Sequence, residues 1–185
     1  SIYGESFFIF SLEVPRLSGH VDVLPVILPE RMLAQAGLSK GARIGLRGQL
    51  RSYNRIIEGS SRLELKIFAK EIYGFPEGDC LNRMEMTGFL CKPPIYRTTP
   101  FGREITDMLV AVNRSYNKSD YIPTIAWGRN ARMAKNLPVG QKIRVEGRIQ
   151  SREYEKLLES GERIRRVAYE VSASALSLQE PPAGE

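Results

Sequence analysis

The feature of this chain that most restricts its fold is an internal repeat with a period of about 100 residues. Residues 22–27 match residues 120–125 at a spacing of 98, and residues 41–52 match residues 140–151 at a spacing of 99. A repeat of this length is too long for a solenoid unit and has the size of a small domain. The sequence therefore predicts two domains that share one fold.

The two copies differ in their aromatic residues. Four aromatic residues of the second copy are Tyr116, Tyr121, Trp127 and Tyr154. Their counterparts in the first copy are Ser18, Val23, Pro29 and Arg55. Because the repeat pattern was kept and these rings were not, we expect the two domains to have unequal functions.

Most of the chain has the pattern of β-strands. Residues 105–113 and 163–171 are rich in β-branched and apolar residues and are flanked by turn residues. One short helix is predicted in each copy, at Pro29–Gln35 and at Asn130–Asn136, between the third and fourth strands. This is the element order of an OB-fold barrel. We therefore predict an all-β chain of two tandem five-stranded OB-fold barrels, each with one short helix.

The composition predicts the domain boundaries. The chain divides into a first barrel at 1–73, a connector rich in glycine and proline at 74–80, a second barrel at 81–178 and a polar tail at 179–185. The second copy has about twenty residues that precede its match to the first copy, and they include a predicted first strand at Arg83–Leu90. A barrel without this strand would expose an open edge, so we expect the strand of the first barrel to lie upstream of Ser1.

The charge distribution favours a polyanionic partner for the second copy. Residues 81–178 hold 17 Lys and Arg against 10 Asp and Glu, and they dominate the net charge of +6. A basic domain of this kind suits a nucleic acid, although many globular domains reach the same charge without one.

The chain lacks the residues that are characteristic of several other classes of protein. No apolar run is long enough to predict a membrane span, and no signal peptide is apparent. We expect Cys80 and Cys91 to be reduced thiols of a cytoplasmic protein, and with the only histidine, His20, they are too few for a zinc site. No phosphate loop or activated nucleophile is present. We therefore expect no enzyme activity, no metal, no cofactor and no small-molecule substrate.

One predicted strand combines rings with cations on a single face. Its alternate positions are Arg148, Gln150, Arg152 and Tyr154. By the same parity Tyr121 and Trp127 share a face of the preceding strand. Such a face suits a single strand of nucleic acid, because bases stack on the rings while Arg and Lys contact phosphates. The alternative is that the rings belong to the barrel core.

Several segments of the second copy occur in the order and at the spacing that a known protein family shows. They are Asn82–Leu90, Lys92–Gly102, Ala111–Arg114, Ile125–Arg129 and Val145–Tyr154. Together they resemble the bacterial single-stranded DNA-binding proteins (SSB) from Asn82 to Leu178. The resemblance implies base stacking by Tyr116, Tyr121, Trp127 and Tyr154, and phosphate contacts by Arg129, Arg148 and Arg152. Gln150, on the same predicted face, and Arg114, at the end of the second strand, complete the candidate site.

The first copy keeps less of this pattern. The equivalent strand face is Gln49, Arg51, Tyr53 and Arg55. Only one ring, Tyr53, remains on this face. We therefore treat it as a secondary candidate site, formed by Arg51, Tyr53 and Arg55. A structural role for the first copy is the alternative that its missing rings favour.

These features predict sequence-independent binding and coating of single-stranded DNA, mainly by the second barrel, in DNA replication, repair or recombination. The alternatives are an OB-fold protein-interaction module and a binder of single-stranded RNA, since stacking does not depend on the sugar. The resemblance implies assemblies of four barrels and hence a homodimer of two-barrel chains, associated with the nucleoid in the cytoplasm. The alternative to the dimer is a monomer whose two barrels pack on each other.

Overall fold

The structure is a computed structural model that describes residues 4–57, 59–74 and 81–180. These residues form two units, which divide between Leu81 and Asn82. Strands make up most of each unit and each has one short helix, so the prediction of an all-β chain is confirmed. No helix within the described ranges is long and apolar enough to cross a membrane.

The first unit contains a four-stranded sheet. Its elements are β1 (Phe7–Pro15), β2 (Val21–Pro29), α1 (Glu30–Ala36), β3 (Ile44–Ile57) and β4 (Ser60–Gly74). The strand order is β1-β2-β4-β3, with β2 and β4 parallel and the other pairs antiparallel. Along β2 the buried positions Asp22, Leu24, Val26 and Leu28 alternate with positions that face outward. This period of two places the core on one face of the sheet.

The second unit contains a six-stranded sheet. Its elements are β5 (Met84–Leu90), β6 (Ile95–Thr98), β7 (Glu104–Arg114), β8 (Lys118–Trp127), α2 (Gly128–Ala134), β9 (Lys142–Leu157) and β10 (Arg163–Leu178). The strand order is β5-β9-β10-β8-β7-β6, and β5 also pairs with β7. This additional pairing joins five strands into a closed ring, and β6 extends the sheet from β7. A closed ring leaves fewer strand edges unpaired.

The sheets thus have four and six strands and not five in each. Within the described residues, the first unit has no counterpart of β5, which in the second unit pairs with β9 and β7. The second unit gains β6 because Ile95–Thr98 forms a short hairpin with β7. Residues 75–80 of the predicted connector, with Cys80, and residues 181–185 of the predicted tail lie outside the described residues.

Both units contain a glycine at which two strands approach each other closely. Gly48 and Gly147 are counterparts in the repeat. A Cβ atom would lie 2.2 Å from the carbonyl oxygen of Phe68 at Gly48, and 2.0 Å from that of Ser172 at Gly147. Each glycine also lies beside an irregularity in the pairing with the next strand. The repeated glycine therefore permits the same close pairing of β3 with β4 and of β9 with β10.

The core of the second unit lies inside the ring of strands. Along β8 the buried residues Ile122, Thr124 and Ala126 point inward, together with Val110 of β7 and Val145 of β9. The odd-numbered positions of β8 lie on the opposite face of the strand, where Tyr121 is exposed, Trp127 is half-buried and Ile125 is buried. This orientation determines where the aromatic residues predicted for the site lie.

Candidate nucleic-acid interface

The outward side of strands β8, β9 and β10 brings together most of the predicted site; we call it the outer face. Ser172 of β10 pairs with Arg148 of β9 on one side and with Ile125 of β8 on the other. Residues directly opposite each other share a face of a sheet. The outer face thus combines alternate positions of three strands, including Trp127, Arg148, Gln150, Arg152 and Tyr154.

Trp127 has a defined orientation on this face. It is half-buried at the end of β8, and its indole Nε1 donates a hydrogen bond to Ser172 Oγ at 3.0 Å. The interior positions of the same strand are taken by Ile122, Thr124 and Ala126. Trp127 therefore lies outside the core, with its polar edge already bonded and part of its ring accessible to solvent.

The cations of β9 surround a buried carboxylate that the sequence analysis did not identify. Glu170 lies opposite Gln150, which donates to Glu170 Oε1 at 2.9 Å. Arg152 Nε donates to the same oxygen at 3.4 Å, although half of the arginine side chain (51%) is exposed. The exposed Arg148 reaches Gln150 Oε1 at 3.5 Å. Glu170 thus contacts Arg152 directly and is linked to Arg148 only through Gln150.

A second carboxylate on the same side engages β6. Arg97 Nε donates to Asp107 Oδ2 at 2.6 Å, and its terminal nitrogen lies 3.4 Å from the other oxygen. The hydrogen bond that Arg97 donates to Asp107 raises the pKa of its guanidinium, and the charge of Glu170 acts in the same direction. The outer face therefore alternates cations with carboxylates and is not uniformly basic.

The three tyrosines of the candidate site differ in their surroundings. Tyr154 is half-buried, and the Arg152 guanidinium lies 5.9 Å from the centroid of its ring. Tyr121 is exposed at the outward side of β8. Tyr116 is 95% exposed in the turn between β7 and β8, with a φ of 64° that is strained for a bulky residue.

The site is extended along the sheet. Tyr116 precedes β8 and Trp127 ends it, and a strand of ten residues spans roughly 30 Å. The structure therefore places Tyr116 and Trp127 at opposite ends of β8, with the arginines of β9 along the strand between them. A ligand that reaches all four rings must be long.

Arg114 differs from the other candidate arginines. Its Nε lies 3.1 Å from Asp120 Oδ2, with 21% of the arginine side chain and 5% of the aspartate side chain exposed. The repeat counterparts Arg16 and Asp22 form the same pair at 2.7 Å. A pair present in both units and mostly buried in each indicates that Arg114 stabilises the β7–β8 hairpin. Arg129, by contrast, is exposed on α2 and has no ion-pair partner within the described residues.

The first unit has rings that the sequence comparison missed. On its secondary candidate site, Tyr53 lies near Lys66 and Arg55 lies 3.7 Å from Glu64. The guanidinium of Arg51 lies 3.8 Å from the centroid of the Phe68 ring. The centroids of the Phe7 and Phe68 rings lie 6.0 Å apart.

Strand register explains why the repeat spacing overlooked these rings. Phe68 pairs with Ile27 as Ser172 pairs with Ile125, so Phe68 occupies the place of Ser172. Phe7 lies opposite Pro29, the counterpart of Trp127. The first unit thus has rings next to the position that corresponds to Trp127, on strands β1 and β4. The hairpin register of β3 and β4 was the signal that could have found Phe68.

Comparison with known proteins gives the family of the chain. Residues 81–179 match the model of the single-strand binding protein family. Single-stranded DNA-binding protein A of Bacillus subtilis (strain 168) is 34% identical over 111 residues, which cover 56% of this chain and 62% of that protein. Single-stranded DNA-binding protein 1 of Staphylococcus aureus (strain COL) is 35% identical over 108 residues, covering 55% and 62%. The chain therefore spans less than two thirds of the length of these relatives.

A solved structure extends the likeness to the first unit. The wild-type single-stranded DNA binding protein from Thermus aquaticus matches with a TM-score of 0.73 and 22% identity, over 98% of this chain and 83% of that chain. A deletion mutant of the same protein gives a TM-score of 0.71 at 23% identity. At such identities the likeness shows the fold alone. The family itself follows from the match over the second unit, which covers more than half of the chain and confirms the resemblance: the chain belongs to the single-strand binding protein family.

Proposed function

We propose that this protein binds single-stranded DNA without sequence preference, mainly through the outer face of the second unit. The observation that carries the proposal is the placement of Trp127, Arg148 and Arg152 on one face of the sheet, outside the core. Stacking on such rings is worth about 1–3 kcal/mol per base and is available to every base. Membership of the single-strand binding protein family supports DNA as the ligand.

The proposed mechanism is coating. Bases stack on Trp127, Tyr121, Tyr154 and Tyr116, while Arg129, Arg148 and Arg152 contact phosphates. A strand held in this way competes poorly for reannealing and is shielded from nucleases, which suits DNA replication, repair or recombination. Arg114 contributes through the stability of its hairpin, because its guanidinium already pairs with Asp120.

We further propose that both units are OB-type barrels and that two chains associate into a dimer with four of them. The closed ring of the second unit, with α2 between β8 and β9, supports the barrel assignment. The first unit contributes a smaller binding face, which Arg51 and Phe68 form together with Phe7, Tyr53 and Arg55.

A titration of the intact protein with poly-dT tests the proposal, with the fluorescence of Trp127 as the signal. We expect quenching with an affinity that falls as salt rises, by about 0.7 in log affinity per log salt for each phosphate contact. Competition with poly-U measures the preference for DNA over RNA, which stacking alone does not provide. A protein that leaves poly-dT unbound at low salt would contradict the proposal and favour a protein-interaction module.

A further inference from the structure

The hairpin between β6 and β7 carries an exposed ring that lies outside the predicted site. Phe101 lies at the tip of this hairpin and is 93% exposed, so it has no packing role in the unit. A single exposed apolar side chain needs no special explanation. Phe101, however, shares a cleft of about 470 Å³ with Trp127, Thr99 and Arg103. This volume is within the range of small-ligand sites, about 300–1,000 Å³.

The tip of the hairpin is held in one conformation. Thr99 exchanges backbone hydrogen bonds with the turn, donating to Arg103 O at 2.8 Å and accepting from Gly102 N at 2.9 Å. Its hydroxyl accepts a further bond from Arg103 N at 3.1 Å. Gly102 has a φ of 78°, which glycine adopts without strain. The Phe101 ring is therefore presented to solvent by an ordered turn.

The base of the hairpin is also anchored. Tyr96 donates a hydrogen bond to Glu104 at 2.6 Å, and Glu104 forms an ion pair with Arg132 of α2. On the other side of the cleft, the indole of Trp127 is held by Ser172. Both walls of the cleft are thus positioned before any ligand arrives.

The chemistry of the cleft suits one nucleotide. Two rings, Phe101 and Trp127, offer stacking surfaces, and aromatic pairs of this kind accept any base. The Arg103 side chain is exposed, has no ion-pair partner in the described part of the chain, and carries the charge that a phosphate requires. Because Trp127 belongs to the outer face as well, the cleft adjoins the proposed DNA path.

We propose that the Phe101–Trp127 cleft binds one further nucleotide of the single strand, with its base stacked on Phe101 and its phosphate at Arg103. This inference rests on the proposed function and adds Phe101 and Arg103 to its binding residues. It lengthens the path of the strand beyond the end of β8, onto the β6–β7 hairpin.

Variants of Phe101 in the intact protein test the inference by equilibrium binding to poly-dT. We expect Phe101→Ala and Phe101→Leu to weaken binding about 5- to 150-fold, the loss of one base stack, while Phe101→Tyr retains it. Leu17→Ala is the matched control, because it removes another fully exposed apolar side chain and should leave affinity unchanged. Since Phe101 is exposed, the melting temperature should be unchanged in all of these variants. Arg103→Gln should reduce the salt slope by about 0.7.

The outcomes separate this inference from the proposed function. If the wild-type protein fails to bind poly-dT, both are overturned. If the wild type binds and Trp127→Ala weakens binding while Phe101→Ala does not, the cleft is not a nucleotide site and the proposed function stands. Loss of binding in Phe101→Tyr as well as in Phe101→Ala would overturn stacking as the role of the ring.

Discussion

At the scale of single residues, Trp127 connects the two binding regions that we propose. Its ring lies on the outer face and lines the cleft below Phe101, and its only polar atom is bonded to Ser172. Removal of this ring therefore affects stacking directly and leaves the core residues of β8 in place.

We expect Trp127→Ala to weaken binding to poly-dT by about 1–3 kcal/mol, because one stacking platform is lost. Since the variant lacks the fluorescent reporter, anisotropy of labelled dT oligonucleotides is the suitable measurement. Phe68→Ala is the comparison variant in the first unit, because Phe68 lies at the place of Ser172, the hydrogen-bond partner of Trp127. Equal losses in the two variants would contradict the proposal that the second unit dominates binding.

Glu170 presents the opposite case, a negative charge within a cationic face. We expect Glu170→Gln to strengthen binding about two- to fivefold at low salt, because Arg148 and Arg152 then act without a neighbouring carboxylate. The glutamine keeps an oxygen for the side chain of Gln150. Affinity measured at several salt concentrations checks this, and a weaker complex would mean that Glu170 acts by positioning Arg152.

At the scale of elements, arginines of the same predicted role separate into two groups. Those of β9 lie over the sheet with much of their side chains exposed, whereas Arg114 is engaged across the β7–β8 hairpin. The sequence placed Arg148 and Arg152 in the site through their strand face and the family resemblance, and Arg114 through its position at the end of the second strand. Only the pairing of β7 with β8 distinguishes them, because it brings Asp120 to Arg114.

A pair of variants measures this difference. We expect Arg152→Gln to flatten the salt dependence of binding by about 0.7, one phosphate contact, with little change in melting temperature. Arg114→Gln should instead lower the free energy of unfolding by about 1–3 kcal/mol, because Asp120 remains mostly buried without its cation. A flatter salt slope in Arg114→Gln with unchanged stability would place Arg114 in the phosphate path after all.

At the scale of the whole molecule, the number of binding faces in one assembly depends on how the chains associate. A first unit that repeats the fold with a smaller binding face suits a role in association, and closed two-fold symmetry is the commonest arrangement of identical chains. Once a long strand is bound at one of two linked sites, its effective concentration at the second site is also raised.

We expect the intact protein to be a homodimer with four barrels. Light scattering at micromolar concentration should then give about twice the chain mass of 20.9 kDa. A mass near that of one chain would reject the dimer and favour a monomer with two binding faces.

The sequence by itself determined the repeat, the all-β class, the family and which residues share a strand face, because side chains alternate along a strand with a period of two. That rule is local, so Arg148, Gln150 and Arg152 could be assigned to one face without a structure. Tertiary structure decided which strands pair. It closed the second sheet through β5 and β7, and it placed Glu170 under the arginines. It also brought Phe68 beside Arg51 and Phe101 beside Trp127. These contacts join strands distant in sequence, and their register depends on hairpins, bulges and the close approaches at Gly48 and Gly147, which no local periodicity encodes.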